Sequence, residues 1–262
     1  MNIIYRELRA NLKSYIIWMV SLMLLFVAVS TEFSAFKDNP DIIDALEGFD
    51  AFYQALGITM SNMSTPEGYI SMMSIYLYVP IAIYSALLGS SIISKEERAK
   101  TAEYLFTLPI KRETVIRSKM IVGFIYVLSF VLVIILGLTI TFYRFELTSS
   151  FYNFMFYLGF GLFFTGLIFM SIDLFFASYL KQYKRSGAIS LAIAIGTFML
   201  NMVVQLVEEL DFLKYVIPYK YFDVEEMLKG NIELIYVLLS LIIICSSITG
   251  VFIFYKKRDL YI

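Results

Sequence analysis

The chain has 262 residues, a net charge of −1, and is 60% hydrophobic with only 16% charged residues, against about 25% in soluble domains. This composition excludes an ordinary soluble enzyme, predicts no nucleic-acid partner and is typical of a protein embedded in a membrane. The chain has no histidine and one cysteine, Cys245, which excludes an intrachain disulfide and the catalytic or metal sites that need histidine.

The N-terminal segment, residues 1–13, precedes the first apolar run. Ile4, Leu8 and Asn11 share one helical face, and the basic residues Arg6, Arg9 and Lys13 point elsewhere. This pattern predicts a short amphipathic helix that lies on the membrane surface and turns into the first span. The alternative is a simple basic flank that orients insertion.

Six apolar runs are each about long enough to cross ~30 Å of hydrocarbon as a helix. The predicted spans are residues 14–31, 68–94, 120–143, 153–176, 186–207 and 234–255. Lysine and arginine concentrate before the first span, in residues 94–120, after the fourth span and at the C-terminus. The positive-inside rule therefore places both termini and residues 95–119 in the cytoplasm. The sequence predicts one all-α integral membrane domain over residues 1–262.

A stripe of polar residues follows the fifth span. Its members recur at intervals of three, four or seven and fall within a sector of about 80°: Ser190, Thr197, Asn201, Gln205 and Glu208. Such a stripe is predicted to avoid lipid. It either lines a water-accessible path or forms hydrogen bonds to adjacent helices.

Two other spans carry candidate residues. On the second span, Tyr76, Pro80 and Tyr84 share a face; Pro80 is predicted to kink the helix, and the tyrosines either contact cargo or pack. Asp173 is the one acid inside a span, where an isolated charge is costly. The favoured interpretation is partial hydration near the cytoplasmic surface or a bond to a neighbouring base. A cation or substrate site is the alternative.

The stretch "SKEERAKTAEYLFTLPIKRETVIRSKM" at residues 94–120 separates the second and third spans. Glu96 and Lys100 stand four apart, as do Glu113 and Arg117, in the order that supports a helix. Pro109 predicts a bend between one helix and a second helix that runs into the third span. The bend carries apolar side chains, which indicate a docking site: Leu105, Phe106, Leu108 and Ile110.

This stretch resembles the cytoplasmic segment of type 2 ABC transporter permeases. That segment reads acid-rich, then Thr, Glu, Leu-Leu and Leu-Pro-(Ile/Val)-x-Arg, with a Lys opening the next span. The matching residues are Thr101, Glu103, Leu105, Leu108, Pro109, Ile110, Arg112 and Lys119. A Gly often precedes the Thr, and Lys100 takes its place. The stretches "TPEGYI", "LKQYKRSGAISLAIAI" and "VIPYKYFDVEEMLKG" extend the resemblance over nearly the whole chain.

The resemblance implies that residues 95–119 contain a coupling helix that docks on a separate ABC ATPase. The implied docking residues are Glu103, Leu105, Phe106, Leu108, Pro109, Ile110 and Arg112. Two ATPase copies would bind ATP and Mg, and a second permease chain would pair with this one as a homodimer or related heterodimer in the lipid of a bacterial-type cell membrane. The chain has no G-x-x-x-x-G-K-[ST] loop, so it is predicted to be a transporter subunit with no ATPase site, cofactor or metal of its own.

The predicted function is export of an amphipathic or hydrophobic cargo, such as a peptide, toxin, antimicrobial or lipid. The second and fifth spans border the translocation path in this family, so the resemblance favours the path interpretation of the polar stripe. The candidate path residues are Tyr76, Tyr84, Thr197, Asn201 and Gln205. The alternatives are a sodium or drug efflux permease of the same family, or a non-ABC membrane carrier.

Overall fold

The structure is a computed structural model, and it describes residues 3–37, 65–98, 111–180 and 183–256. These residues form α-helices and short 3₁₀ segments, with no β-strand among them. The α-helices are α1 (Ile3–Lys37), α2 (Pro66–Met72), α3 (Ile75–Arg98), α4 (Arg112–Phe142), α5 (Ser149–Tyr179), α6 (Tyr183–Leu206), α7 (Val224–Leu228) and α8 (Leu234–Lys256).

Six of these helices, α1, α3, α4, α5, α6 and α8, are long and apolar enough to cross a membrane. This confirms the prediction of an all-α membrane protein with six spans. The end of the bundle where α3 ends at Arg98 and α4 begins at Arg112 is called the coupling end below. The other end, where α4 passes into α5, is called the opposite end.

The central helix of the bundle is α5, which packs against α3, α4, α6 and α8. It begins at Ser149, and the side chain of the preceding residue, Thr148, caps the helix by accepting a hydrogen bond from the Phe151 amide at 3.4 Å. Buried residues recur along its whole length, among them Phe154, Leu158, Leu162, Phe169, Asp173 and Ala177. The polar side chain of Asp173 is therefore carried into the middle of the helix bundle.

Glycine lets α3 and α5 approach each other closely. A Cβ atom at Gly89 would lie 2.6 Å from the Met170 carbonyl oxygen and 3.1 Å from the Asp173 Cβ. Any larger residue would force the two helices apart, because backbone atoms cannot move aside as a side chain can. The Asp173 backbone is thus held against α3.

The first helix differs from its prediction. Residues 3–13, expected as a separate surface helix, are the first turns of α1, which continues unbroken for 35 residues from Ile3 to Lys37. At ~1.5 Å per residue this is about 52 Å. The segment contains neither glycine nor proline, and those are the usual causes of a break. Its inner face packs mainly on α4, whose Tyr126 donates a hydrogen bond to the Leu8 carbonyl.

The second predicted span, residues 68–94, is divided in the structure. Thr65 caps α2 by accepting a hydrogen bond from the Gly68 amide at 3.2 Å, and the chain turns at residues 73–74 before α3 begins. No glycine or proline lies at this turn, and the α2 residue Tyr69 is buried against Phe33, with ring centroids 5.1 Å apart. The break between α2 and α3 therefore follows from tertiary packing and not from a helix-breaking residue.

The connection between α6 and α8 is made of short helical pieces. Two 3₁₀ helices, Glu208–Tyr215 and Pro218–Lys220, precede α7. Asp223 caps α7 by accepting hydrogen bonds from the Glu225 and Glu226 amides at 2.9 and 3.3 Å. This connection packs against α5 and α6 through aromatic rings: Tyr219 contacts Phe169 and Phe198, and Phe222 contacts Phe160 and Phe164.

Candidate coupling site and polar cavities

The predicted coupling segment is described only at its two ends. Residues 95–98 form the last turn of α3, and residues 112–119 form the first two turns of α4. Of the predicted docking residues, Arg112 is the first residue of α4. The others lie outside the described residues: Glu103, Leu105, Phe106, Leu108, Pro109 and Ile110. The structure therefore shows the helix ends on either side of the predicted docking segment.

At these helix ends lie five charged side chains from three helices, called here the ionic cluster: Arg6, Glu7, Lys95, Glu96 and Lys119. Lys119 of α4 is at the centre, and its Nζ donates hydrogen bonds to both carboxylate oxygens of Glu96 at 2.8 and 2.9 Å. Its Nζ also lies 3.7 Å from Glu7 Oε1. Arg6 approaches Glu7 at 3.4 Å and Glu96 at 3.6 Å. Lys95 forms a further ion pair with Glu7.

Burial makes the ionic cluster energetically important. The side chains of Glu7 and Lys119 are 0% exposed, and Lys119 also donates to the Ile92 carbonyl of α3. Removing one partner of a buried ion pair costs about 3–5 kcal/mol, because the remaining charge is left without compensation. The cluster therefore binds the end of α3 and the start of α4 to each other and to the beginning of α1.

A cavity of about 510 Å³ lies beside the ionic cluster, between α1, α3 and α6. Hydroxyl and amide groups occupy much of its wall, including Asn11, Ser14, Ser90, Ser91 and Ser94. Trp18 and Tyr84 lie at its deeper part. Ser94 and Tyr84 are ten residues apart on α3, about 15 Å at ~1.5 Å per residue. This coupling-end cavity thus extends from the level of the ionic cluster well into the bundle.

The two candidate tyrosines of α3 have different environments. Tyr84 is 2% exposed, and its ring stacks on Phe130 with the centroids 4.3 Å apart. Tyr15 and Trp18 of α1 pack around it, and its buried hydroxyl has no hydrogen-bond partner among the described residues. Tyr76 is 50% exposed near the start of α3. The two residues therefore do not form one common site within the chain.

The polar stripe of α6 points into the protein over most of its length. Ser190 is buried, and Thr197 donates to the carbonyls of its own helix at 2.6 and 3.2 Å. Asn201 and Gln205 line a cavity of about 60 Å³ at the opposite end, between α3, α6 and the connection to α8. Their side-chain oxygens have no hydrogen-bond partner in the described residues. The cavity is large enough to hold water. The Glu208 side chain lies outside the described residues.

This opposite-end cavity also contains a lysine. Lys220 lies on its wall with Asn201, Gln205 and Tyr78. Burial lowers the pKa of Lys220 below its usual range, and Asp223 only partly offsets the effect. A half-buried lysine on the same wall as two amide side chains makes this cavity strongly polar for a site at the end of two membrane-spanning helices.

Asp173 is placed differently from its favoured prediction. Asp173 is 0% exposed, so water at the surface of this chain does not hydrate its carboxyl group. No base from the described residues bonds to it. The cations at the coupling end, Lys95 and Lys119, are instead held in the ionic cluster. The neighbouring polar group is Ser190 of α6.

The sequence of the chain matches a known protein family. A family model described as "ABC-2 family transporter protein" matches residues 1–260 of the chain. The chain belongs to the ABC-2 transporter family. Membership in it identifies a permease, the multi-pass membrane component of a transporter in the cell membrane, and implies association with an ABC ATPase. A search of curated proteins found no match.

None of the five members of the ionic cluster in this ABC-2 permease was identified as a site residue from the sequence. Glu96 was paired with Lys100 on its own helix, whereas the structure pairs it with Lys119, 23 residues away. Glu7 and Lys95 were not assigned a role. A signal for Glu7 is present in the sequence, because it is the one acid among the bases that precede the first span.

Proposed function

We propose that this ABC-2 permease exports an amphipathic or hydrophobic cargo, driven by ATP hydrolysis on a separate ABC ATPase. The observation that carries the proposal is the ionic cluster. It fixes the two helix ends from which residues 99–110 extend, and it joins them to α1. A docking segment that receives force from an ATPase needs a rigid base, and this base extends the force to a third helix.

The proposed orientation places the coupling end in the cytoplasm. Lysine and arginine concentrate in the segments at this end, as the positive-inside rule requires. The ATPase is proposed to dock on Leu105, Phe106, Leu108, Pro109 and Ile110, with Glu103 and Arg112 at its edges. Two ATPase copies and a second permease chain would complete the transporter, since one such segment serves one ATPase.

The proposed translocation path follows α3 and α6. Both helices line the coupling-end cavity, and both line the opposite-end cavity that contains Asn201 and Gln205. The wall of the first cavity combines hydroxyl groups with Trp18 and Tyr84, which suits a cargo with polar and apolar parts. Outside the cavities α6 exposes apolar side chains that a second permease chain would cover: Ile195, Met199, Val203 and Leu206.

Transport into inside-out membrane vesicles tests both direction and coupling. The chain is produced with its ATPase, and ATP-dependent accumulation of a fluorescent amphipathic peptide is measured. Accumulation is expected for the wild type and is lost in Leu108→Asp, because a charge on the apolar bend prevents docking. Co-purification of the ATPase is measured on the same membranes and is lost in parallel.

Ser178→Ala serves as the control, because Ser178 is buried in α5 and, among the described residues, its hydroxyl bonds to the Leu174 carbonyl of its own helix at 2.7 Å. This variant retains both the ATPase and transport. An ATPase that remains bound to Leu108→Asp contradicts the docking assignment. A complex that hydrolyses ATP but accumulates no peptide contradicts the cargo class or the direction.

A further inference from the structure

Asp173 of α5 is a buried carboxyl group that the proposed transport mechanism does not use. The residue is 0% exposed, and it lies six residues before the end of α5 at Tyr179. Neither side-chain oxygen has a hydrogen-bond partner among the described residues. Without water or a counter-charge, an ionised carboxylate is disfavoured relative to the neutral acid.

The helices around Asp173 bring it no compensating charge. On the α3 side Gly89 presses against its Cβ, and α8 carries no Asp, Glu, Lys or Arg between residues 234 and 255. The cations of α3 and α4, Lys95 and Lys119, are bound in the ionic cluster.

Titratable groups near the opposite-end cavity are also engaged elsewhere. Tyr219, whose ring packs on Phe169 one turn before Asp173, donates its hydroxyl to the Ala194 carbonyl at 3.3 Å. The acidic helix α7 meets α5 at Gly161, where its Met227 is in contact, twelve residues before Asp173. Ser190 of α6 is therefore the group whose chemistry matters for this carboxyl.

The hydroxyl of Ser190 already has a hydrogen-bond partner on its own helix. A serine hydroxyl has one proton to donate, and Ser190 donates it to the Ser186 carbonyl at 2.9 Å. While that bond is kept, Ser190 presents oxygen lone pairs toward α5. A carboxylic acid can donate its O–H to them, whereas a carboxylate gains a hydrogen bond only if the Ser190 proton leaves the Ser186 carbonyl.

We propose that Asp173 is a proton-binding site, held as a neutral carboxylic acid that donates a hydrogen bond to Ser190 and so joins α5 to α6. This inference goes beyond the proposed export function, because it requires neither ATP nor cargo. It also assigns a purpose to an acid that no base in the described residues neutralises.

The proton has a route from the coupling-end cavity. The hydroxyl of Ser186, one turn before Ser190 on α6, lies 2.9 Å from the hydroxyl of Ser90. Ser90 and Gly187 line the coupling-end cavity. One helical turn of serine hydroxyls thus separates the carboxyl group from the cavity. We infer that water on the coupling side supplies the proton, so protonation follows the pH on that side.

Infrared spectroscopy of the full chain in lipid bilayers tests the protonation state. A carboxylic acid has a C=O stretching band that is separate from the two carboxylate bands and shifts to lower frequency in D₂O. At about pH 7, where an ordinary aspartate is ionised, the wild type is expected to show this band. Asp173→Asn is expected to lose it.

Glu96→Gln is the matched control, because Glu96 is also buried but is paired with Lys119. It is expected to retain the band. Absence of the band in the wild type, or its persistence in Asp173→Asn, overturns the proposal. Ser190→Ala removes the acceptor and is expected to shift the frequency of the band; an unchanged frequency overturns the assignment of Ser190.

The pH dependence of thermal unfolding gives a second readout. A proton bound in the fold is lost as the pH rises, so the free energy of unfolding of the wild type is expected to fall with rising pH. Asp173→Asn has no such proton to lose, and its unfolding temperature is expected to depend less on pH between about pH 5 and pH 9. Equal pH dependence in the two proteins contradicts the proposal.

Discussion

The two ends of α1 are attached to the bundle by different forces. At the coupling end Arg6 and Glu7 enter the ionic cluster, where oppositely charged groups from α3 and α4 surround them. At the opposite end Phe33 lies among aromatic rings, with its centroid 4.7 Å from Phe145, 5.1 Å from Tyr69 and 5.5 Å from Phe142.

The difference indicates which attachment can rearrange. Ion pairs depend on the presence and placement of each partner, so a change at one charge alters the whole cluster. Aromatic packing depends mainly on filled volume and tolerates small displacements of the rings. We expect movement of the proposed ATPase to rearrange the ionic contacts of α1, and the aromatic contacts at Phe33 to adjust by sliding without being lost.

Loss of the central cation is expected to have the largest effect. Lys119→Met leaves Glu7 and Glu96 buried with less positive charge, and the variant is expected to lose roughly 3–5 kcal/mol of unfolding free energy. Thermal unfolding in mild detergent measures the loss. Arg117→Met, which removes an exposed cation two residues away, is expected to change stability by less than about 0.5 kcal/mol.

The double variant Lys119→Met/Glu96→Gln separates charge from packing. It removes one acid along with the base and is expected to recover part of the lost stability, because fewer buried charges remain unpaired. Equal stability of the single and double variants would show that Lys119 acts through packing alone.

Truncation of Phe33, at the aromatic end of α1, is expected to cause the second largest loss of stability. Phe33 is 0% exposed, and Phe33→Ala is expected to cost about 3 kcal/mol through the cavity that it leaves. Phe156→Ala is the control, because Phe156 is 71% exposed.

ATP hydrolysis per transported peptide is expected to change in Lys119→Met and to stay constant in Phe33→Ala. The same change in both variants would contradict the proposed division between the two ends.

A smaller effect is expected from Lys220 in the opposite-end cavity. Burial lowers the pKa of this lysine in the folded protein, so the unfolded chain binds its proton more tightly. The free energy of unfolding is therefore expected to rise as the pH increases from the folded pKa toward the unfolded value of about 10.4. Lys220→Met is expected to reduce that rise, as measured by unfolding temperatures across the alkaline range. An unaltered pH profile would contradict the burial of its charge.

The smallest effect is expected for an exposed ion pair at the opposite end. Lys214 and Asp211 approach to 2.6 Å, and both side chains are accessible to solvent. Exposed pairs contribute between about 0 and 1 kcal/mol. Asp211→Asn is expected to leave the unfolding temperature nearly unchanged. A loss of stability comparable to that of Lys119→Met would mean that burial does not distinguish the ionic cluster from this exposed ion pair.

The six spans were predictable because each depends on a run of apolar residues that is local in sequence. The residues at which the helices begin and end were not predictable in this way. The α2–α3 turn at residues 73–74 has no breaker residue, and Tyr69 packs against Phe33, which lies 36 positions earlier. Likewise α1 continues from residues 3–13 without a break, since the buried Glu7 holds its first turns on the bundle.

The inward direction of the polar stripe on α6 was predictable, but the partners of the polar and charged residues were not. The sequence indicated which polar residues of α6 avoid lipid, because this follows from helical spacing, and the position of the docking segment stays a prediction. The sequence did not indicate that Glu96 pairs with Lys119 or that Ser90 meets Ser186, since these contacts join residues 23 and 96 positions apart. Long-range pairing depends on how the helices cross.

The uninterrupted length of α1 has a mechanical consequence. A helix of 35 residues without glycine or proline has no preferred point at which to bend, so it is stiff along its axis. An axial displacement imposed on Glu7 must then appear with little attenuation at Phe33, 26 residues away. The helix can shift or tilt only as one body, and strain from the first end must be taken up by sliding or yielding of the contacts at the second.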